Sequence, residues 1–200
     1  MEIRKSNMKT LTIIRHGKSE MNEINSEKYS VFSGQTECSL SFEGKIEARK
    51  LRKELSKVGY DIAYISSSIR AIETYKEIGL DIEKVQFLEE LKERSLGILE
   101  GMSVQNFLSN KNFKDFWPSG EKGDFKHSFS NKAPNGESYT DVCNRLVPLV
   151  NRIKNSDEEN ILIISHYVAI RCLLLLLGYL DQSNIFEFRI GNCEVIKINI

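Results

Sequence analysis

Two histidines in this sequence each follow a short run of aliphatic residues. His16 ends the run 13–15 (Ile-Ile-Arg), and His166 ends the similar run 163–165 (Ile-Ile-Ser). Apolar runs without alternation are typical of strands buried on both faces of a parallel sheet. Ligands bind beyond the carboxyl ends of such strands. If these two strands are neighbours, both imidazoles are therefore expected in one crevice.

Two arginines are predicted at the same edge of the sheet. Arg15 precedes the first histidine, and Arg70 follows a third apolar run that ends at Ile65. A guanidinium group offers forked N–H donors that match phosphate oxygens. Each residue taken alone has a structural alternative, since His16 could simply end a strand and Arg70 could be a solvated residue at a helix start. Together, two histidines and two arginines predict a site for a phosphate dianion.

The composition sets the broad class of protein. The 200 residues carry 28 basic and 28 acidic side chains and are 40% hydrophobic, which is typical of a globular chain and favours neither nucleic acid nor a membrane surface as a partner. The four cysteines lie far apart without C-x-x-C spacing, so neither a disulfide framework nor a zinc site is expected. The apolar stretch Val168–Leu180 has about 13 residues, whereas a membrane span needs roughly 20. With a polar N-terminus that lacks a signal peptide, the expected location is the cytoplasm.

Strands and helices are predicted to alternate along the chain. Strands are expected at 11–14, 62–65, 161–164 and 195–200; helices are expected at 42–58 between Ser41 and Gly59, from Ser68 to Gly79, after the capping box of Ser138 and Asp141, and within 168–180. This alternation predicts an α/β fold, a three-layer sandwich with a mostly parallel central sheet flanked by helices. Residues 1–200 are interpreted as a single domain.

The segment 101–134 differs in composition and is interpreted as an insertion folded over one edge of the sheet, with a short helix around Val104–Leu108; long loops of this kind are often lids or specificity elements. Its lysines and aromatic residues could line a pocket for the leaving group or form a small core of the lid itself, and the second alternative is favoured. The residues concerned are Lys111, Phe113, Lys114, Phe116, Trp117, Lys122, Phe125 and Lys126.

Six short motifs follow one another between residues 11 and 166. They are Arg15-His16-Gly17-Lys18-Ser19 with Asn22; Gly34 with Leu40-Ser41 and Gly44; Ser66-Ser67 with Arg70-Ala71 and Thr74; Leu91 and Glu93 with Gly97 and Glu100-Gly101; Gly136-Glu137-Ser138; and Ser165-His166. In this order and spacing the chain resembles the histidine phosphatase superfamily, the phosphoglycerate mutase-like proteins. The resemblance implies a phosphoglycerate mutase-like fold.

The resemblance also implies a role for each residue of the site. His16 would attack phosphorus and carry a phosphohistidine, Arg15, Arg70 and His166 would hold the equatorial oxygens, and Glu93 would protonate the leaving group and later deprotonate water. The rest of the phosphate pocket would be formed by Ser19, Asn22, Ser33 and Gly34. By composition alone Glu93 belongs to a charged segment, and Ser19 and Ser33 could be turn formers. No metal or other cofactor is expected.

The chemistry of this site leaves three functions open. The favoured one is a metal-independent phosphatase acting on a small phosphorylated metabolite. A cofactor-dependent phosphoglycerate-type mutase is the second, although the mutases tend to carry Glu-Arg-His-Tyr-Gly where this chain has Glu-Arg-Ser-Leu-Gly at 93–97, and an arginine pair where 101–134 has none. A protein-directed phosphatase or phospho-binding module is the third. The sequence carries no signal for an oligomeric state.

Two positions depart from the family pattern. Tyr167 follows the second histidine where glycine is common, and it could contact the substrate or pack behind the site. Lys18 stands where acidic or small residues are frequent, and it is expected to add positive charge near the phosphate.

Overall fold

A five-stranded, mostly parallel sheet forms the middle layer of the protein. The computed structural model describes residues 8–26, 30–116 and 125–200. The strands are β1 (Thr10–Arg15), β2 (Ile62–Ser66), β3 (Val85–Leu88), β4 (Asn160–Ser165) and β5 (Val195–Asn199). Their order across the sheet is β3-β2-β4-β1-β5, and β5 alone of these runs antiparallel to its neighbour.

The described part of the chain forms six α-helices and several short 3₁₀ segments. The helices are α1 (Glu20–Ser26), α2 (Phe42–Leu55), α3 (Ile69–Ile78), α4 (Val104–Ser109), α5 (Tyr139–Asn155) and α6 (Tyr167–Leu176). The 3₁₀ segments are Glu89–Leu91, Gly97–Leu99, Lys111–Phe116 and Phe125–His127. Within the described ranges, no helix is long and apolar enough to cross a membrane.

Two hydrophobic cores cover the two faces of the sheet. One contains α5 and α6 packed on side chains such as Leu11 and Ile163, and the other contains α2 and α3 packed on side chains such as Ile14 and Ile164. Alternate residues of β1 and β4 thus face opposite cores, which is why apolar side chains stand at consecutive positions in these strands. The predicted three-layer α/β sandwich is confirmed.

The helix boundaries follow the capping residues, with one correction. Ser68 precedes α3 and Gly79 ends it in the left-handed conformation at φ 67°, while Ser138 and Asp141 form the expected capping box of α5. Helix α2 begins after Ser41 but ends at Leu55, so the expected stop at Gly59 is wrong. The helix ends in a tight turn, in which the N–H of the C-cap residue Ser56 donates to the carbonyl groups of both Arg52 and Glu54.

Strand β3 is not among the predicted strands. It is a short edge strand of four residues, and its two central side chains are exposed. Such a strand is held in place by its pairing with β2 and carries no apolar run of its own. A sequence pattern based on burial cannot find it.

The insertion contains its own small core. Phe107 and Phe125 pack around Phe32, with ring centroids 5.3 and 6.0 Å from that ring, and Phe113 stacks on Phe107. The predicted short helix is α4. Phe113 and Phe125 belong to the small core, as the favoured alternative expected, while Phe125 and Lys126 also line the smaller cavity described below, as the other alternative expected. Of the other residues expected there, Trp117 and Lys122 lie outside the described residues, as do the side chains of Lys114 and Phe116.

Candidate active site

The pairing of β1 with β4 brings the two histidines together. These strands are parallel neighbours with Arg15 opposite Ser165, so the residue after each strand lies at the same edge of the sheet. The N–H of His16 donates to the carbonyl of Ser165 at 3.0 Å, and the imidazole centroids of His16 and His166 are 4.9 Å apart. The expectation that the two imidazoles lie together at this edge is confirmed, although only His16 lines the cavity there.

The imidazole of His16 has a defined tautomer. Its Nδ1 lies 2.7 Å from the carbonyl oxygen of Gly17, and because only a donor can bond to that oxygen, Nδ1 carries the proton and Nε2 keeps its lone pair. The ring is 4% exposed. Burial, followed by the positive charges of Arg70 and Arg15, lowers the pKa of His16 well below 6.5. A neutral ring with a free Nε2 is a competent nucleophile.

His166 is fully buried behind Arg70. The Nε–H of Arg70 donates to Nδ1 of His166 at 3.3 Å, so the proton of His166 is on Nε2, which lies 2.8 Å from the hydroxyl of Ser66 and 3.0 Å from that of Ser68. Burial lowers the pKa of His166 well below 6.5, and the positive charges of Arg70 and Arg15 act in the same direction. In this arrangement His166 contacts the guanidinium group and does not line the cavity.

The two arginines are held differently. Arg70 is 3% exposed and donates to the carbonyl groups of Gly34, at 2.9 Å, and Thr36, at 2.8 Å. Arg15 donates to the carbonyl of Ile190 at 2.8 Å, whereas its buried Nε has no partner. A buried cationic donor without a partner is costly unless an anion binds there.

A cavity of about 350 Å³ opens beside these groups. Eight of the nine site residues expected from the sequence line it, the exception being His166. The eight are Arg15, His16, Ser19, Asn22, Ser33, Gly34, Arg70 and Glu93.

The smaller residues of the predicted phosphate pocket also have local partners. The hydroxyl of Ser19 donates to Oδ1 of Asn22 at 3.0 Å and accepts from the N–H of that residue, which fixes the start of α1. Ser33 accepts a hydrogen bond from the Asn25 amide. Gly34 has φ 47°, and a side chain there would collide with Glu100. These residues therefore shape the turn and line the cavity at the same time.

The carboxylate of Glu93 lies at the N-terminus of α6 and is not part of a solvated charged segment. Its Oε1 accepts from the N–H of Val168 at 3.0 Å and from the N–H of Arg94 at 2.8 Å. The N-terminus of a helix favours a negative group because its first N–H groups have no partners within the helix. The structure thus places one carboxylate on the wall of the cavity that contains His16.

Arg145 and Glu137 hold the backbone of the Glu93 segment. The guanidinium group of Arg145 donates to the carbonyl groups of Lys92 and Glu93, at 2.9 and 3.1 Å, and forms an ion pair of 2.7 Å with Glu137. Glu137 also accepts from the N–H of Ser95. From the sequence, Glu137 was found only as part of a motif and Arg145 was missed. Glu137 precedes the N-cap of α5 and Arg145 lies within that helix, so no regular spacing pointed to their ion pair.

A second, smaller cavity adjoins the first. It has a volume of about 220 Å³ and shares Phe32, Arg94, Leu96, Tyr167 and Val168 with the larger one. Arg94 is 5% exposed, donates to the Phe125 carbonyl at 2.9 Å and leaves its buried Nε without a partner. No role was predicted for Arg94 from the sequence, although it directly follows Glu93. The smaller cavity, called the annex below, lies beside the cavity that is lined by Arg15, His16 and Arg70.

The two departures from the family pattern have different outcomes. Tyr167 lines both cavities, and its hydroxyl accepts a hydrogen bond from Arg171 at 2.7 Å. The residue therefore packs behind the site and can also contact a ligand. The ammonium group of Lys18 forms an ion pair with Glu43. Lys18 does not line the cavity, so the expectation that it adds charge at the phosphate is wrong.

Within the described ranges, no group of three or more histidine, cysteine or acidic side chains converges as the ligands of a metal ion would. The site instead combines an imidazole nucleophile, two guanidinium groups and one carboxylate on a three-layer α/β fold. This combination fits phosphoryl transfer by positioning and charge stabilisation.

Comparison with known proteins identifies the family. Residues 11–200 match the histidine phosphatase superfamily (branch 1), and the chain belongs to it. It is 30% identical to the 2,3-bisphosphoglycerate-dependent phosphoglycerate mutase of Blochmanniella floridana, over 89% of this chain and 87% of the relative.

Two solved structures are also similar. The alpha-ribazole phosphatase of Shigella flexneri has a TM-score of 0.80 at 24% identity, covering 96% of this chain and 90% of that chain. The phosphoserine phosphatase of Entamoeba histolytica, solved in complex with 3-phosphoglyceric acid, has a TM-score of 0.72 at 26% identity, covering 94% and 89%.

Proposed function

We propose that this protein is a phosphoric monoester hydrolase that acts on a small phosphorylated metabolite through a phosphohistidine on His16. The observation that carries the proposal is the neutral imidazole of His16, with Nδ1–H bonded to Gly17 and Nε2 free beside Arg15 and Arg70. Membership of the histidine phosphatase superfamily supports it.

In the first half of the reaction, Nε2 of His16 attacks phosphorus while the bond to the leaving oxygen breaks. Arg15 and Arg70 bind the equatorial oxygens, and the unpartnered Nε of Arg15 is one of the donors. Glu93 gives a proton to the leaving oxygen, which exits as an alcohol. His166 positions Arg70 through the contact with its Nε.

In the second half, water attacks the phosphohistidine. Glu93, now a carboxylate, takes the proton from water as the new oxygen–phosphorus bond forms and the bond to Nε2 breaks. Inorganic phosphate and the free imidazole of His16 are regenerated. Ser19, Asn22, Ser33 and Gly34 complete the wall around the phosphate.

The residues that line the annex favour a leaving group that itself carries a negative charge. The buried guanidinium group of Arg94 has an unpartnered Nε and lines both cavities. A carboxylate on the leaving group would satisfy this donor and offset the cost of burying it. The phosphoserine phosphatase of similar structure, crystallised with 3-phosphoglyceric acid, is consistent with a metabolite of this kind.

A mutase is the second candidate, because the B. floridana relative carries that name. A mutase would return the phosphoryl group to an alcohol held in the annex and would need a bisphosphorylated activator. Phosphate release without an activator distinguishes the two. Strong dependence of turnover on 2,3-bisphosphoglycerate would overturn the hydrolase proposal.

Replacement of His16 by alanine tests the central step. The variant should lose hydrolysis of p-nitrophenyl phosphate, and brief exposure to radiolabelled substrate should label the parent protein with an acid-labile, base-stable phosphate. His127→Ala is the matched control, since it removes the third histidine, which lines the annex but not the cavity that contains His16, so the label should remain in place. Unchanged hydrolysis by His16→Ala would refute the proposal.

A further inference from the structure

The aromatic ring of Tyr167 contacts one guanidinium group of the site and a second, buried one. The Cζ atom of Arg15 lies over this ring, 5.1 Å from its centroid, and the Cζ atom of Arg171 lies 4.2 Å from the same centroid. Both distances are within the ~6 Å at which the face of an aromatic ring attracts a cation. Tyr167 also lines the main cavity and the annex. The ring therefore connects Arg15 to the body of the protein.

Tyr167 is anchored through Arg171. The buried guanidinium group of Arg171 donates to the hydroxyl of Tyr167 at 2.7 Å and to the carbonyl of Phe188 at 3.1 Å. It also donates to the hydroxyl of Tyr139 at 2.8 Å. The Tyr167 hydroxyl in turn donates to the Phe188 carbonyl at 3.3 Å. Since Tyr167 and Arg171 are one helical turn apart on α6, these bonds fix the position of the ring without any ligand.

Arg15 has few other contacts that fix its direction. Within the described ranges it donates one hydrogen bond, from Nη1 to the carbonyl of Ile190 at 2.8 Å, and its Nε has no partner. Arg70, by contrast, is held by two backbone carbonyl groups and by His166. A single hydrogen bond at the end of a long side chain still allows the guanidinium plane to turn about it. The face of Tyr167 restricts this rotation, because a planar guanidinium group packs against an aromatic ring.

We propose that Tyr167 is a positioning residue that holds the guanidinium group of Arg15 in the orientation that receives the phosphoryl group. This role rests on the proposed function, in which Arg15 binds equatorial oxygens of the phosphoryl group. A guanidinium group that is already oriented loses less freedom when the phosphate binds, and this lowers the cost of binding. Because the effect acts on the phosphoryl group, it does not depend on the leaving group.

Binding of inorganic phosphate tests this role, because phosphate has no leaving group. In isothermal titration calorimetry, Tyr167→Leu should bind phosphate about 3- to 30-fold more weakly than the parent, the range expected for loss of a cation–π contact. Leucine keeps an apolar side chain at this position but has no aromatic face. Tyr167→Phe should recover most of the affinity, since it restores the ring. Phosphate affinity that is unchanged in Tyr167→Leu would overturn the proposal.

Steady-state kinetics separate this role from a direct contact with the leaving group. Tyr167→Leu should lower kcat/KM by the same factor, to within about twofold, for p-nitrophenyl phosphate, phenyl phosphate and phosphoserine. These substrates share the phosphoryl group and differ in the leaving group. A loss confined to one or two of them would show that Tyr167 acts on the leaving group and would overturn the proposal.

A double-mutant cycle shows whether the effect passes through Arg15. Arg15→Met removes the guanidinium group, so the addition of Tyr167→Leu to this variant should cause no further loss of kcat/KM for p-nitrophenyl phosphate. Losses that add would indicate that Tyr167 acts independently of Arg15 and would overturn the proposal. Thermal unfolding checks that each variant is folded, and Tyr167→Met is a second variant without an aromatic face should leucine destabilise the protein.

Tyr179→Leu is the matched control, because it removes an exposed tyrosine that lines neither cavity. Its affinity for phosphate should equal that of the parent, and an equal loss in both variants would overturn the proposal. Phosphate binding does not depend on turnover, so the two proposals fail in different ways. A parent protein that binds phosphate without hydrolysing esters would contradict the proposed function. Hydrolysis by the parent, with phosphate affinity unchanged in Tyr167→Leu, would contradict the role of Tyr167 alone.

Discussion

Replacing Glu93 by glutamine separates proton transfer from every other task of the site. The amide oxygen can keep the acceptor position that receives the N–H groups of Val168 and Arg94, at 3.0 and 2.8 Å. The variant loses one negative charge at the start of α6, which costs ~0.3–1 kcal/mol of stability. The fold and the phosphate pocket should therefore be retained.

The magnitude depends on the leaving group. Without a general acid, kcat/KM for phenyl phosphate should fall about 10²-fold, which corresponds to ~2.7 kcal/mol in the transition state. For p-nitrophenyl phosphate, kcat/KM should change by less than about threefold, because p-nitrophenolate leaves without a proton. The later attack of water still needs a base, so kcat should fall for both substrates.

Rapid mixing with p-nitrophenyl phosphate measures this directly. The Glu93→Gln variant should release a burst of p-nitrophenolate of about one equivalent per site, followed by slow turnover, because the phosphohistidine accumulates. Glu90→Gln is the matched control, since it removes an acid from the same segment that does not line the cavity. An equal loss of kcat/KM on both substrates, without a burst, would refute the assignment of Glu93 as the proton donor.

Three further predictions concern the nucleophile, the arginine clamp and the turn after Glu93. Because the pKa of His16 is lowered well below 6.5, kcat/KM for p-nitrophenyl phosphate should stay level as pH falls through 6.5. Thermal stability should decline below that pH, because the imidazole takes up a proton in the unfolded chain but not in the folded one. A kinetic pKa at 6.5 would contradict this prediction. Arg70→Lys should lower kcat/KM about 10²–10³-fold in steady-state assays, because the forked donors to the phosphate oxygens are lost. Arg49→Lys, at an exposed position, should leave kcat/KM unchanged. Equal effects of the two replacements would count against a role of Arg70 in holding the phosphate. In urea unfolding, Gly97→Ala should lower the free energy of unfolding more than Gly101→Ala does. Both glycines have positive φ, but only at Gly97 would the added Cβ meet backbone, 2.1 Å from the carbonyl oxygen of Pro134. Equal losses would be inconsistent with this steric cause.

The sequence predicted the centre of the site because its geometry is local. His16 and His166 each follow a strand directly, so the parallel pairing of two apolar runs is enough to bring them together. The position of Arg70 follows in the same way from the short turn between β2 and α3. The strand pattern and the rule that ligands bind at the carboxyl ends of strands were sufficient to predict the positions of these residues.

The parts that were missed depend on contacts between distant segments. Arg145 supports Glu93 from 52 residues away, and it does so only because α5 packs beside that segment. No periodicity or local motif encodes such a contact. Strand β3 belongs to the same class, since its pairing with β2 determines its conformation and its own side chains are largely exposed.

In the proposed mechanism, the hydrogen bond between His16 and Gly17 has different strengths at different points of the reaction. In the ligand-free protein, burial and the two nearby arginines keep the ring neutral, while the bond to the Gly17 carbonyl opposes them by favouring the charged form. As Nε2 bonds to phosphorus, the ring gains positive charge and the bond from Nδ1 becomes charge-assisted. The phosphate dianion meanwhile offsets the arginine charges. An interaction that strengthens as the reaction proceeds lowers the barrier more than one that binds the substrate equally well throughout. Gly17 is itself held through its N–H by the Thr74 hydroxyl at 2.9 Å, so the carbonyl is in place before the charge develops.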